Sequence, residues 1–269
     1  MKVEILEKTQ DALKIIIRDI DEVTANALRR TITTDVPAMA IKSVTFTKND
    51  SAMYDEILAH RIGLVPIKTD LKSFSLPKEC KCKGKGCSIC ELHFSLKAVG
   101  EKTVYSDELK SKDPKITSAI PNIPLVKLLK GQKLELQAVA TLNTGTKHAK
   151  YSPGLVYYQE YPEITITNCP NPEEVEKSCP TKVFKITGKK LTVQDITKCT
   201  LCGACEDTAK DDSVKVATIP TDFIITIESW GNMSPKELML EALSILADKC
   251  TEFGKQASKL KGVTLKKSK

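Results

Sequence analysis

Cysteine placement constrains this chain more than any other feature. Seven of its ten cysteines stand in two short runs, Cys80-Lys-Cys82-Lys-Gly-Lys-Gly-Cys87-Ser-Ile-Cys90 and Cys199-Thr-Leu-Cys202-Gly-Ala-Cys205. The start, MKVEILEK, is charged and carries no apolar leader, so a cytoplasmic protein is expected. A reducing cytosol disfavours a disulfide framework, and the spacing points to metal. Intracellular proteins of hyperthermophiles do hold disulfides, so one further pair stays open.

The C-x2-C-x2-C run suits an iron–sulfur cubane, because a chain wrapped around one corner lets successive thiolates reach different irons. Zinc loops usually offer a pair of cysteines each. Gly203 allows the backbone to approach the sulfides. In bacterial-type ferredoxins a fourth cysteine, after three intervening residues, serves a second cluster; here that position is Ala209, so one cluster is expected. Its fourth ligand must come from elsewhere. Cys179, followed by Pro180, is the first candidate, and Cys169, followed by Pro170, is the alternative. Both a 3Fe-4S and a 4Fe-4S cluster fit this pattern. A three-iron form would release one thiolate, with Cys202 the candidate, leaving it free or paired with Cys169. The competing readings are a structural zinc site or buried free thiols.

The second run places four thiolates within eleven residues, enough to close a tetrahedral zinc site. Gly84 and Gly86 permit the tight loop, and its lysines offset the net charge of a metal tetrathiolate. Such a site staples a loop that lacks its own core. The alternative is a loop of unliganded cysteines.

The rest of the chain predicts a soluble α+β protein with a sizeable core. Of 269 residues 41% are hydrophobic and only 5% aromatic, so aliphatic side chains carry the packing. The net charge of +7 is milder than a dedicated nucleic-acid binder needs. No apolar run is long enough to span a bilayer. A strand hairpin is expected over Val3–Leu6 and Leu13–Ile17, then a helix over 22–34 capped by Asp21, with Val23, Ala27, Leu28 and Ile32 on one face. Further strands are expected over 41–47, 92–99, 134–142 and 223–228, and a short helix over 54–61. Residues 100–130 are polar and proline-containing and read as irregular. An inserted module begins near Asn168. In the last helix Ser234 and Glu237 form a capping box with Pro235 at the first helical position. Its apolar stripe contains Leu238, Ala242, Ile245, Leu246, Cys250 and Phe253. The lysine-rich end from Lys255 to Lys269 reads as a solvated tail.

Catalytic signatures are absent. The sequence holds no phosphate-cradling glycine loop, no H-E-x-x-H around its three histidines (His60, His93 and His148), and no Asp-rich triplet for paired magnesium ions.

Four segments carry a family resemblance: Asn26-Ala-Leu-Arg-Arg30 with Asp35-Val-Pro-Ala-Met-Ala-Ile41; Tyr54-Asp-Glu-Ile-Leu-Ala-His-Arg-Ile-Gly-Leu-Val-Pro66; Thr146-Lys-His-Ala-Lys-Tyr-Ser-Pro153; and Glu228-Ser-Trp-Gly231. Together they resemble the alpha-like subunit of archaeal DNA-directed RNA polymerase, the counterpart of bacterial alpha. The resemblance implies a discontinuous dimerisation domain (1–44 and 222–269), a β-rich insert domain (45–166) bearing the zinc-like loop 80–90, and a ferredoxin-like insert (167–221). It implies a non-catalytic scaffold whose active site lies on other subunits. Subunit L is the implied heterodimer partner, and the pair becomes a platform for subunit N and the large subunits. Leu238, Ala242, Ile245, Leu246 and Phe253 are candidates for that helix-on-helix interface or for the core beneath it. Arg29 and Arg30 are expected near the large subunits, their plain alternative being a solvated face. No catalytic DNA contact is implied. Two rival functions are an electron-transfer protein, which Ala209 disfavours, and a zinc-dependent nucleic-acid module, which predicts strongly salt-dependent DNA binding.

Overall fold

A computed structural model of the chain describes residues 1–259. In chain order its elements are β1 (Lys2–Lys8), β2 (Ala12–Arg18), α1 (Glu22–Thr34), β3 (Ala38–Asn49), α2 (Asp55–Gly63), β4 (Leu92–Val99) and β5 (Lys102–Tyr105). There follow β6 (Lys110–Ser111), β7 (Pro124–Leu128), β8 (Lys133–Asn143), β9 (Gly154–Ile166), α3 (Pro172–Ser178) and β10 (Phe184–Thr187). The chain continues with β11 (Lys190–Val193), α4 (Ala204–Thr208), β12 (Val214–Ser229) and α5 (Pro235–Ala257). The result is an α+β fold with antiparallel sheets, divided into two compact units.

The larger unit comprises 9–13, 27–156 and 227–269. Its main sheet has the order β3-β8-β4-β6. Strict alternation in β4 and β8 turns Leu92, Phe94, Leu96 and Ala98, and Leu134, Leu136, Ala138 and Ala140, into one buried face. Large residues meet small ones across the ladder, as where Phe94 pairs with Ala138. The helix α2 adds Leu58 and Ile62 to the same core. Gly145 lies where the chain crosses α1's end: a Cβ there would stand 2.2 Å from the Thr33 carbonyl oxygen.

The expectation of irregular structure over 100–130 is overturned. Residues 102–105 and 124–128 form an antiparallel pair with Val104 opposite Val126, and Val104, Leu125 and Leu128 are buried. Strands this short need only one or two inward aliphatics, too few to stand out in a polar stretch. Pro124 occupies the first residue of β7, a place where a strand tolerates proline.

Helix α5 begins as expected. The Ser234 hydroxyl accepts from the Glu237 N–H, and the Glu237 carboxylate accepts from the Ser234 N–H at 2.9 Å. Its stripe then divides. Leu238 and Ala242 are fully buried, Ile245 and Leu246 half-buried, and Cys250 and Phe253 exposed. Residues 260–269, most of the expected lysine tail, lie outside the described residues.

The smaller unit comprises 1–8, 14–26 and 157–226. Its four-stranded sheet has the order β1-β2-β12-β9. Ile15, Ile16 and Ile17 are consecutive and all buried, so both faces of β2 are covered. Arg18 Nη1 donates to Asp222 Oδ2 at 2.6 Å, tying β2 to β12. Asp21 caps α1 by accepting from the Thr24 N–H at 2.9 Å. Val23, expected on the buried face of α1, is instead 75% exposed; Ala25 takes the interior position. The strand β9 carries Pro162 and no clean alternation, which hides it in the sequence. It lies at the edge of its sheet, where a missing N–H costs little. The β10–β11 hairpin, α3 and α4 complete this unit around a small core of Val175, Val183, Phe184, Leu191 and Val214, joined by Cys199 and Cys205.

Candidate metal centres

The first centre is the loop between α2 and β4. All four of its sulfurs lie within 4.8 Å of one another. Cys80 Sγ stands 3.5 Å from both Cys87 and Cys82, Cys82 is 3.4 Å from Cys90, and Cys87 is 3.7 Å from Cys90. A zinc–sulfur bond of about 2.3 Å sets tetrahedron edges of about 3.8 Å, so these separations fit one ion at the centre. The backbone makes this possible by turning back on itself. Gly84 and Gly86 adopt φ of 77° and 88°, a region open to glycine. A Cβ on Gly86 would also stand 2.5 Å from the Glu91 carboxylate. The Cys90 N–H donates to the Cys87 carbonyl, and the Cys87 N–H donates back to Cys90 Sγ at 3.4 Å.

The electrostatics suit a cation. Cys80 and Cys90 are buried, and Cys82 and Cys87 half-buried. Burial pushes the Cys90 thiol up to about 12. Its hydrogen bond to Cys82 holds that thiol down at about 6. Cys82 is therefore the sulfur of this pair readier to lose its proton to an arriving ion. Four cysteines this close can hold a metal.

The second centre lies in the smaller unit. Cys179, Cys199, Cys202 and Cys205 line one small cavity, walled by Val183, Phe184 and Val216. These are the four residues the spacing nominated. Cys169 does not line it; its thiol points to Asn171 Oδ1 at 3.8 Å. Cys199 and Cys205 are buried, Cys179 is half-buried and Cys202 exposed. Backbone N–H groups already point at two of the sulfurs, Val183 at Cys179 (3.3 Å) and Leu201 at Cys199 (3.5 Å). Leu201 and Gly203 both take positive φ, 58° and 76°, which folds the run around the cavity. Burial opposes ionisation of Cys179, but the Val183 N–H and Thr181 outweigh it and hold the thiol below its ordinary range. Burial pushes Cys199 and Cys205 up. Four cysteines thus line one largely apolar cavity, and backbone N–H donors point at two of their sulfurs. Ala209 closes the following turn, its N–H donating to the Cys205 carbonyl.

Two contacts at this centre carry no motif and escape sequence reading. Gln159 Nε2 donates to the Cys199 carbonyl at 2.9 Å, and Lys14 Nζ to the Thr197 carbonyl at 3.0 Å. Carbonyl acceptors leave no side-chain signature. Of the candidate partner residues, Arg29 is half-buried and Arg30 exposed on α1. No described helix is long and apolar enough to cross a membrane.

An antiparallel α+β unit carrying a cysteine loop marks the class first: residues 39–155 match the RNA polymerase Rpb3/RpoA insert domain. Relatives then extend over the whole chain. The DNA-directed RNA polymerase subunit Rpo3 of Methanosarcina acetivorans is 38% identical over 257 residues, 94% of this chain and 97% of that protein. The Rpo3 of Archaeoglobus fulgidus is 38% identical over 94% of this chain and 97% of its own, and that of Thermococcus kodakarensis 35% over 96% and 98%. The chain belongs to the Rpo3 family of DNA-directed RNA polymerase subunits.

Proposed function

We infer that this chain is the non-catalytic, alpha-like assembly subunit of a cytoplasmic DNA-directed RNA polymerase. The observation that carries the reading is identity of 35–38% to Rpo3 subunits over nearly the full length of both chains. Its task is to pair with subunit L and present a platform to subunit N and the large subunits, which hold the active site. Residues 1–44 and 222–269 would supply the dimerisation domain, 45–166 the insert and 167–221 the ferredoxin-like module. The division along α5 supports helix pairing: Leu238 and Ala242 serve the subunit's own core, while Phe253 is 75% exposed and awaits cover. Ile245 and Leu246 sit at the changeover.

In this reading Cys80, Cys82, Cys87 and Cys90 hold a structural zinc ion. Cys179, Cys199, Cys202 and Cys205 hold one iron–sulfur cluster, structural or regulatory in role. The cluster would supply the cross-link that a module with so small a core lacks.

Co-expression with subunit L tests the function. The wild-type chain should co-purify with L in equal amounts, with both iron and zinc by elemental analysis. Phe253→Ser and Leu246→Ser should abolish co-purification while the isolated chain stays folded by circular dichroism. Undiminished pairing in both variants removes α5 from the interface.

A further inference from the structure

Two hydrogen bonds fasten the cysteine loop of the second centre to the sheet of its own unit. Lys14 reaches it from β2 and Gln159 from β9, the two strands that flank β12. Their acceptors are the carbonyls of Thr197 and Cys199. Because a peptide unit is planar, fixing a carbonyl fixes the orientation of the peptide that follows. Gln159 therefore sets the peptide that leads from Cys199 toward Leu201, which holds a left-handed conformation and directs its N–H at Cys199 Sγ. Thr197 is gripped from the other side as well. Its N–H and hydroxyl both donate to Asp195 Oδ1, at 3.1 and 2.6 Å. Lys14 and Gln159 are themselves half-buried, so water competes weakly for these bonds. The Lys14 ammonium also brings positive charge to the loop that carries three of the four cysteines.

We propose that Lys14 and Gln159 are positioning residues for the iron–sulfur site, holding the Cys199 loop in its ligand-presenting conformation and coupling the cluster to the four-stranded sheet. The inference rests on the cluster reading given above. It assigns a role to two residues that touch neither metal nor thiolate. It also couples the cluster to the sheet of its own unit: when the loop is held by metal, β2 and β9 are each held by the loop.

The test uses the full chain, purified anaerobically. Cluster loss to excess iron chelator is followed by the visible charge-transfer absorption, and the reduced protein's EPR spectrum is recorded beforehand. Lys14→Met and Gln159→Leu should each lose the cluster about fivefold faster than wild type. Gln159→Glu, which sets a carboxylate oxygen against the Cys199 carbonyl, should be faster still and change the EPR line shape. Lys14→Arg, which keeps a cationic donor, should restore the wild-type rate. Hydrogen exchange gives the second readout. Chelation should raise exchange in β2 and β9 of the wild type, and should change it little in the Lys14→Met, Gln159→Leu double variant. Wild-type rates of loss in all variants at full iron content overturn the proposal and leave the cluster reading standing. Equal destabilisation of apo and cluster-loaded protein overturns it too, reducing the residues to packing. An iron-free wild type removes the cluster reading and this proposal with it.

Discussion

The two cysteine centres hold the same number of candidate ligands and solve opposite problems. The Cys80–Cys90 loop gathers all its sulfurs from one stretch of chain, and they are in van der Waals contact. The other centre takes three sulfurs from one run and a fourth, Cys179, from the far side of the β10–β11 hairpin. Its buried thiols also belong to the core of their module. With metal held as proposed, the local tetrad would staple a loop and the distributed set would close a module, so that losing a buried cysteine there removes both a ligand and part of the core. Ligand count alone would have made the sites equivalent; chain distance and burial separate them.

The largest expected effect breaks the distributed site. Cys205→Ser should abolish iron binding and expose residues 167–221 to limited proteolysis, while zinc content stays unchanged. Retention of iron and of protease resistance would show that Cys205 serves only as packing.

The tetrad should respond less widely. Cys90→Ser should cost the chain one zinc ion and open cleavage confined to residues 74–91, with iron unaffected. Cleavage spreading into β4 and β8 would contradict the local-staple picture.

Smaller again is Gly86→Ala. It adds a Cβ 2.5 Å from the Glu91 carboxylate at a positive φ, for a cost of about 1–3 kcal/mol in the loop. Zinc affinity measured by competition with a chromogenic chelator should fall about tenfold or more. Glu91 can swing away, so Gly86→Ala combined with Glu91→Ala separates the clash from the backbone strain.

The smallest effect concerns the alternative ligand. Cys169→Ser should leave iron content and the EPR spectrum as in wild type, because its sulfur faces Asn171 and lies outside the cavity. Loss of iron here, with retention in Cys179→Ser, would reverse the ligand assignment.

Much of this was legible in one dimension, for local reasons. Asp21 and the Ser234–Glu237 box announced two helix starts, because capping is decided within four residues. The alternation in β4 and β8 announced half-buried strands. The grouping of the four Cys80–Cys90 sulfurs was explicit because their geometry closes within one loop. What the sequence left open depended on distant neighbours. β9 could hold Pro162 only because it became an edge, and the short β5 and β7 gained definition by pairing with each other. Cys179 and Cys169 precede prolines alike, and only the folded module brings one of them to the cavity. Leu238 and Phe253 belong to one apolar stripe, yet one is fully buried and the other 75% exposed, since periodicity fixes the face of a helix and not how far its support extends. Lys14 and Gln159 carry no pattern at all. Their role comes from carbonyls that a sheet places within reach, and that placement exists only in three dimensions.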